Sequence, residues 1–453
     1  MRNELPSSAE KMSQTAESSF ESKAKEVLEK ARMSREWDSP LADAATDAEE
    51  MTFVDWAYWL YKAERPVLKA EKNVCEILFM HDKSIVHLPD GFEERTSLTI
   101  GAAGDLMPSD GIECSRNIIF EKVADVLFEV DLSFANLEAP VTEQAFKSCA
   151  IAGWDPENCT LLRSSVAQFS ALAGHNGNYF TALNFANNHA LDLGVEGIET
   201  TRKLFAQNRI TAIGIPKAPE EYARATVIAK AGVKIGFVSA TFGLNGRRVP
   251  PSENYRVHRA KLVSKFAEPE LGLLKKQIED CERRNCDFII ASMHWGFEFE
   301  YFPRHHQIET AHHLVECGVD LILGHHPHVI QPVEYYRPKR DPDRIAVIAY
   351  SLGGLTYDGW EPAPHLSLGL ALKIKLSKGI MDGNDRTYIE CIKPVPVFQK
   401  VFHQNHTKVM RLEKLEEQLT ETALDRSDEA FLKRVKQIEG YADMVLKNRY
   451  LNE

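Results

Sequence analysis

Six side chains able to bind a metal stand at or just beyond the ends of apolar, strand-like runs: Asp105, Glu138, Asn188, His294, His326 and His328. Together they supply two carboxylates, one amide oxygen and three imidazoles, a mixed set suited to Mn, Fe, Zn or Co rather than to calcium or a thiolate zinc site. His189 adjoins Asn188 and is placed to protonate a leaving group or stabilise developing charge without binding metal. A single strand-end Asp or Asn is commonly a helix cap or turn former, and a lone His is commonly structural. Recurrence at five separate strand ends of one α/β chain favours a metal centre over those separate readings. His305, His306, His312 and His313 lie on or just before one helix whose phase points them in different directions, so they are read as ordinary structural residues. Thr142 and Arg202 receive no assignment.

The elements that must position these residues follow from hydrophobic spacing. Residues 288–293 form a buried-type strand running into His294, and residues 319–323 a second one running into the Gly324–His328 turn. Between them, 307–317 has helical spacing and stops at Gly318, so the unit is strand, helix, strand with histidine at both strand ends. Such a unit opens its strand ends into a shared crevice. Further strands are expected at 98–103, 131–135, 180–183, 345–350, 368–376 and 387–392, and a hairpin over 226–240 turning at Ala231-Gly232. Helices are expected at 22–35, 53–60, 118–128, 166–172, 194–207 and 262–284, with a charged helical tail over 412–446. Residues 143–165 read as an inserted excursion, and Trp56, Trp59 and Leu60 as packing against the main domain. The division is an appendage at 1–97 with a disordered first 20 residues, a main domain at 98–400, and a helical tail at 401–453.

The chain of 453 residues is 44% hydrophobic and 26% charged, as ordinary globular proteins are. A net charge of −12 argues against a nucleic-acid or anionic-membrane binder, so a polyanionic substrate would need a basic or metal-lined cleft. The eight cysteines form no CxxC pair and read as reduced structural thiols. With neither an apolar leader nor an 18-residue apolar run, the expectation is a cytoplasmic protein without a membrane anchor.

The motifs GDLM (104–107), NLE (136–138), NNHALDLG (187–194), NG (245–246), HWGFE (294–298), GHHPH (324–328) and YSLG (350–353) occur in an order that resembles the CapA family of capsule and poly-γ-glutamate biosynthesis proteins. The resemblance covers residues 98–376. It implies an α/β fold, a metallophosphoesterase-like four-layer α/β/β/α sandwich, here with helical N- and C-terminal extensions. It implies that Asp105 and His328 hold one ion, that Asn188, His294 and His326 hold a second, and that Glu138 bridges them. It makes His189 the acid-like histidine, and Asp192 and Glu298 residues that orient ligand histidines. Asn245, Arg247 and Arg248 lie on a loop suited to holding an anionic substrate group.

Two positions depart from the pattern. Metallophosphoesterases carry a histidine two residues after the first aspartate, where this chain has Met107, a poor ligand for a hard metal. The expectation is therefore one or two divalent ions, with Mn, Fe or Zn favoured. YSLG usually continues with Asn, and here Gly354 follows. The leading expectation is hydrolysis of a phosphoester or a γ-glutamyl amide by a metal-activated water, on a small-molecule or polyanionic polymer substrate. The alternative is a non-catalytic polyglutamate assembly or binding component with a repurposed metal site.

Overall fold

The computed structural model describes residues 26–80, 86–152, 160–357, 362–424 and 429–447. The disordered reading of residues 1–20 lies outside them. The chain builds half of one sheet, then all of a second, and then returns to the first. β1 (Glu93–Leu106), β2 (Leu132–Leu137), β3 (Ala182–Asn184) and β4 (Thr211–Ile213) lie side by side in parallel. β5 (Thr226–Lys230), β6 (Val233–Thr241), β7 (Phe288–His294), β8 (Leu321–His325), β9 (Val333–Tyr336) and β10 (Ala346–Ala349) form the second sheet in the order β5-β6-β7-β8-β10-β9. Its inner strands are parallel and its two edge strands antiparallel. β11 (Gly354–Thr356), β12 (Leu368–Met381), β13 (Asn384–Gln404) and β14 (Thr407–Lys414) complete the first sheet, ordered β4-β3-β2-β1-β12-β13-β14 with β11 beside the end of β1.

Alternation along the strands makes this a layered sandwich. Ile100, Ala102 and Phe134 face the second sheet, where Phe134 stacks on Phe237 at 5.8 Å. Ala103, Ala135 and Leu183 face outward under α2 (Val166–Leu172) and α3 (Gly194–Gln207), after α1 (Phe53–Glu64) of the N-terminal region. On the second sheet pack α4 (Gly272–Arg283) and α5 (His305–Glu316), through Leu274, Ile278, Ile308, Ala311 and Leu314. The four-layer α/β/β/α arrangement is thus the one expected, and both sheets point their parallel strand ends at one crevice.

Several boundaries differ from the spacing-based ones. Only Ala124–Leu127 is helical within 118–128. The long helix starts at Gly272 rather than at 262, because Pro269 disfavours helical backbone just before it. Residues 407–414 are a strand whose Met410 and Leu412 enter the core, so β13 crosses residue 400 and the sheet continues into the expected tail. Helix begins only with α6 (Leu415–Leu424) and α7 (Glu429–Leu446). The hairpin turns as expected, with both Ala231 and Gly232 at positive φ.

The N-terminal region is built onto the main domain. Thr52 and Asp55 form a reciprocal capping box that starts α1. The buried Lys62 ammonium lies 3.0 Å from Glu300, and the backbones of Val67, Phe299 and Tyr301 pair.

Candidate metal centre

A register shift between Ala102 and Asp105 bulges β1 and aims the Asp105 side chain at the second sheet. Gly104 lets this happen. A β-carbon there would lie 2.0 Å from the Gly353 carbonyl oxygen. Glu138 follows the end of β2, His294 ends β7, and His326 and His328 leave β8 in the GHHPH turn. His326 and His328 sit at φ 96° and 56°, conformations that an L residue holds only when its surroundings impose them, at about 1–3 kcal/mol each.

The geometry divides the buried ligand candidates into two triads sharing one residue, Glu138–His294–His326 and Asp105–Glu138–His328, each with its ligand atoms within 4.8 Å of one another. Within them, His294 Nε2 lies 3.4 Å from Glu138 Oε1, and His328 Nε2 lies 3.7 Å from the same oxygen. Asn188 Oδ1 is 2.8 Å from His294 Nε2, on the side of the first triad. Both Glu138 oxygens are buried without a hydrogen-bond partner, as are Nδ1 of His326 and of His328. Burial, reinforced by the Asp105 charge, pushes the Glu138 carboxyl well above the usual carboxylate range. Burial also holds the His294 and His326 imidazoles well below their ordinary value, and His328 down to about 4. Neutral imidazoles with free lone pairs around a partnerless carboxylate form a donor set that fits a divalent transition metal, whose charge would compensate the buried carboxylates.

His189 stands beside the triads and belongs to neither. Asp192 Oδ2 lies 2.7 Å from its Nδ1, and Asp192 Oδ1 accepts a 2.8 Å hydrogen bond from Arg247 Nε. Asn245, at φ 52°, accepts from Asn188 Nδ2 at 3.1 Å and reaches His189 Nδ1 at 3.4 Å. A narrow cavity of about 30 Å³, roughly one water, adjoins His189, Asn188 and His326 and is roofed by Thr46, Met51, Trp56 and Trp59.

The sequence model of the bacterial capsule synthesis protein PGA_cap matches residues 99–358. The chain belongs to the PGA_cap family. Among its relatives, the PGA biosynthesis protein CapA of Bacillus subtilis is 28% identical over 269 residues, covering 58% of this chain and 64% of that one. The capsule biosynthesis protein CapA of Bacillus anthracis is 27% identical over 285 residues, covering 60% and 63%. The chain therefore spans somewhat under two thirds of these PGA_cap relatives. A solved calcineurin-like phosphoesterase, YfkN from Bacillus subtilis, aligns over 76% of this chain and 99% of its own at 11% identity, with a TM-score of 0.34.

The residues expected to bind metal, Asp105, Glu138, Asn188, His294, His326 and His328, lie together in the structure, and Glu138 is common to both triads. Asp192 contacts His189 rather than a ligand histidine, and Glu298 lies 3.8 Å from His328 Nε2. Arg247 reaches the site only through Asp192, while the Arg248 side chain is 84% exposed and 4.0 Å from Glu49. Met107 packs in a small apolar cluster with Ala139 and Leu162. His305 and His312 contact Lys72 and Glu334, away from the centre.

Three contributors escape sequence reasoning. His325 Nδ1 lies 3.2 Å from Asp105 Oδ1, and Asn136 Nδ2 donates to the same oxygen at 2.8 Å. Burial would raise the Asp105 carboxyl, but His325, His294 and His328 around it hold it well below its ordinary value. Asn136 and His325 lie inside quoted motifs, so their positions were a signal without a role. The third contributor is the N-terminal region. The Thr46 hydroxyl is 3.3 Å from His326 Nε2, and Trp59 Nε1 donates to Glu298 at 2.5 Å. Nothing in residues 46–59 resembles a motif, and only tertiary contact reveals them.

Proposed function

We propose that this PGA_cap protein is a metal-dependent hydrolase acting on a γ-glutamyl amide or a phosphoester. Asp105, Glu138 and His328 would hold one ion, and Glu138, His294, His326 and Asn188 a second. A bound ion there supplies Lewis-acid polarisation of the bond to be cleaved and makes water more acidic. The observation that carries the proposal is His189, which Asp192 holds in the cavity wall and which belongs to neither triad. The Asp192 carboxylate accepts from Nδ1–H and orients the ring; when the ring carries its second proton, Nε2–H is the one passed to the leaving oxygen or nitrogen, and the carboxylate offsets the imidazolium charge. The names of the CapA relatives, and of a probable polyglutamine synthesis accessory protein of Mycobacterium tuberculosis that is 28% identical over 214 residues, support a glutamyl polymer as substrate.

A non-catalytic polyglutamate-binding role is the second reading, favoured by Met107 where the superfamily places a ligand and by the narrowness of the cavity. The test pairs elemental analysis with turnover of γ-glutamyl amides and phosphodiesters in added manganese. His189→Ala is expected to retain its metal and to lose turnover by about 10²–10⁴-fold. Metal-loaded wild type that cleaves neither substrate class selects the binding role.

A further inference from the structure

A second cavity, of about 440 Å³, opens beside the metal centre and carries four arginines, Arg247, Arg248, Arg256 and Arg259, against Glu49 and Glu253. It shares two walls with the narrow cavity over the triads. One is the loop of Leu244, Asn245, Arg247 and Arg248; the other is the N-terminal stretch from Thr46 to Glu49. Arg247 is engaged by Asp192, and Arg256 by Glu199 and Glu253. The remaining two are met by the N-terminal stretch. Glu49 lies 2.8 Å from Arg259 and 4.0 Å from Arg248, and Asp47 lies 3.7 Å from Arg259. Next along the chain, Glu50 accepts from Ser264 at 2.8 Å and pairs with Lys261 at 2.6 Å. An acidic run thus lies along a basic path that ends at Thr46, against His326 of the metal centre.

We propose that this arginine cavity binds the carboxylate groups of a substrate chain, and that Glu49 holds the place of one such carboxylate as an internal competitor. The inference rests on the reading of the adjoining triads as the reaction centre and names the chemistry of what approaches it. A guanidinium fork suits a carboxylate, and Glu49 already presents one to Arg259. The narrow cavity holds about one water, so a chain entering through the wider cavity would displace the Thr46–Glu49 stretch to reach the metal centre. Residues 46–49 lie outside the span matched by the PGA_cap model, so this competitor belongs to the chain's own N-terminal region.

The test is calorimetric titration of the full chain with a short γ-linked glutamate oligomer, and separately with inorganic phosphate. Glu49→Gln is expected to bind the oligomer about tenfold more tightly than wild type. Arg248→Ala and Arg259→Gln are expected to bind it about tenfold more weakly. Absence of binding by both wild type and Glu49→Gln overturns the proposal, as does equal affinity in all four proteins. A Glu49→Gln gain for phosphate equal to that for the oligomer overturns the carboxylate assignment. Titration of Asp105→Asn separates the two readings. Oligomer binding that persists there, beside a wild type that cleaves nothing, removes the hydrolase reading and leaves the cavity in place.

Discussion

Glu298 and Glu300 are two residues apart, yet they serve buried charge clusters of opposite kinds. Glu300 is satisfied from every side. Arg304 contacts both its oxygens at 2.9 and 3.0 Å, Lys62 donates at 3.0 Å and Tyr58 at 3.1 Å. Glu298 faces the metal centre, where the carboxylates meet imidazoles instead of fixed cations and Glu138 has no hydrogen-bond partner. Burial costs a charge several kcal/mol unless it is compensated. The Glu300 cluster compensates internally and ties α1 to the main domain, whereas the Glu138 cluster leaves both carboxylate oxygens without a hydrogen-bond partner. Buried charge by itself therefore does not mark a functional site; incomplete compensation does.

That contrast can be broken at its strongest point with Glu138→Gln. Metal affinity should fall by more than the roughly 100-fold that loss of an outer contact can cost, and elemental analysis would show little metal. The metal-free variant should melt no earlier than metal-free wild type, because an uncompensated carboxyl has been removed. Glu300→Gln should do the reverse, costing about 3–5 kcal/mol in denaturant titrations while leaving metal content unchanged. Metal loss in Glu300→Gln, or early melting of Glu138→Gln, would erase the distinction.

The pH dependence sharpens it further. Burial alone would raise the Glu300 carboxyl, but Arg304 and Lys62 outweigh burial and hold it at about 2, against an ordinary 4.5. A depressed carboxyl stabilises the fold fully above its unfolded value, and that stability is lost as pH falls through the folded one. The stability gap between wild type and Glu300→Gln should thus be constant above about pH 5 and narrow between 4.5 and 2 in acid unfolding curves. The smallest effect should come from Trp59→Phe, which keeps an aromatic ring but loses the indole N–H donor to Glu298. Metal affinity should drop by up to about tenfold, with the melting temperature almost unchanged.

Strand-end residues were legible because a parallel strand must deliver its last side chain to the crevice, so apolar run plus polar end located Asp105, Glu138, His294, His326 and His328 together. Element edges were less legible. Residues 407–414 have both helical and strand-compatible spacing, and pairing with β13 decided between them. Asn136 and His325 were visible as letters and opaque as roles, since their work is to hold Asp105 across two sheets.

By itself the sequence determined the chemical inventory and its order along the chain, because ligand type and strand periodicity are local properties. Only the tertiary structure decided that Met107 packs in an apolar cluster and that Thr46 and Trp59 roof the centre. Those facts depend on how separate elements pack. The Thr46–His326 contact, between residues 280 positions apart, leaves no periodicity for a sequence to display.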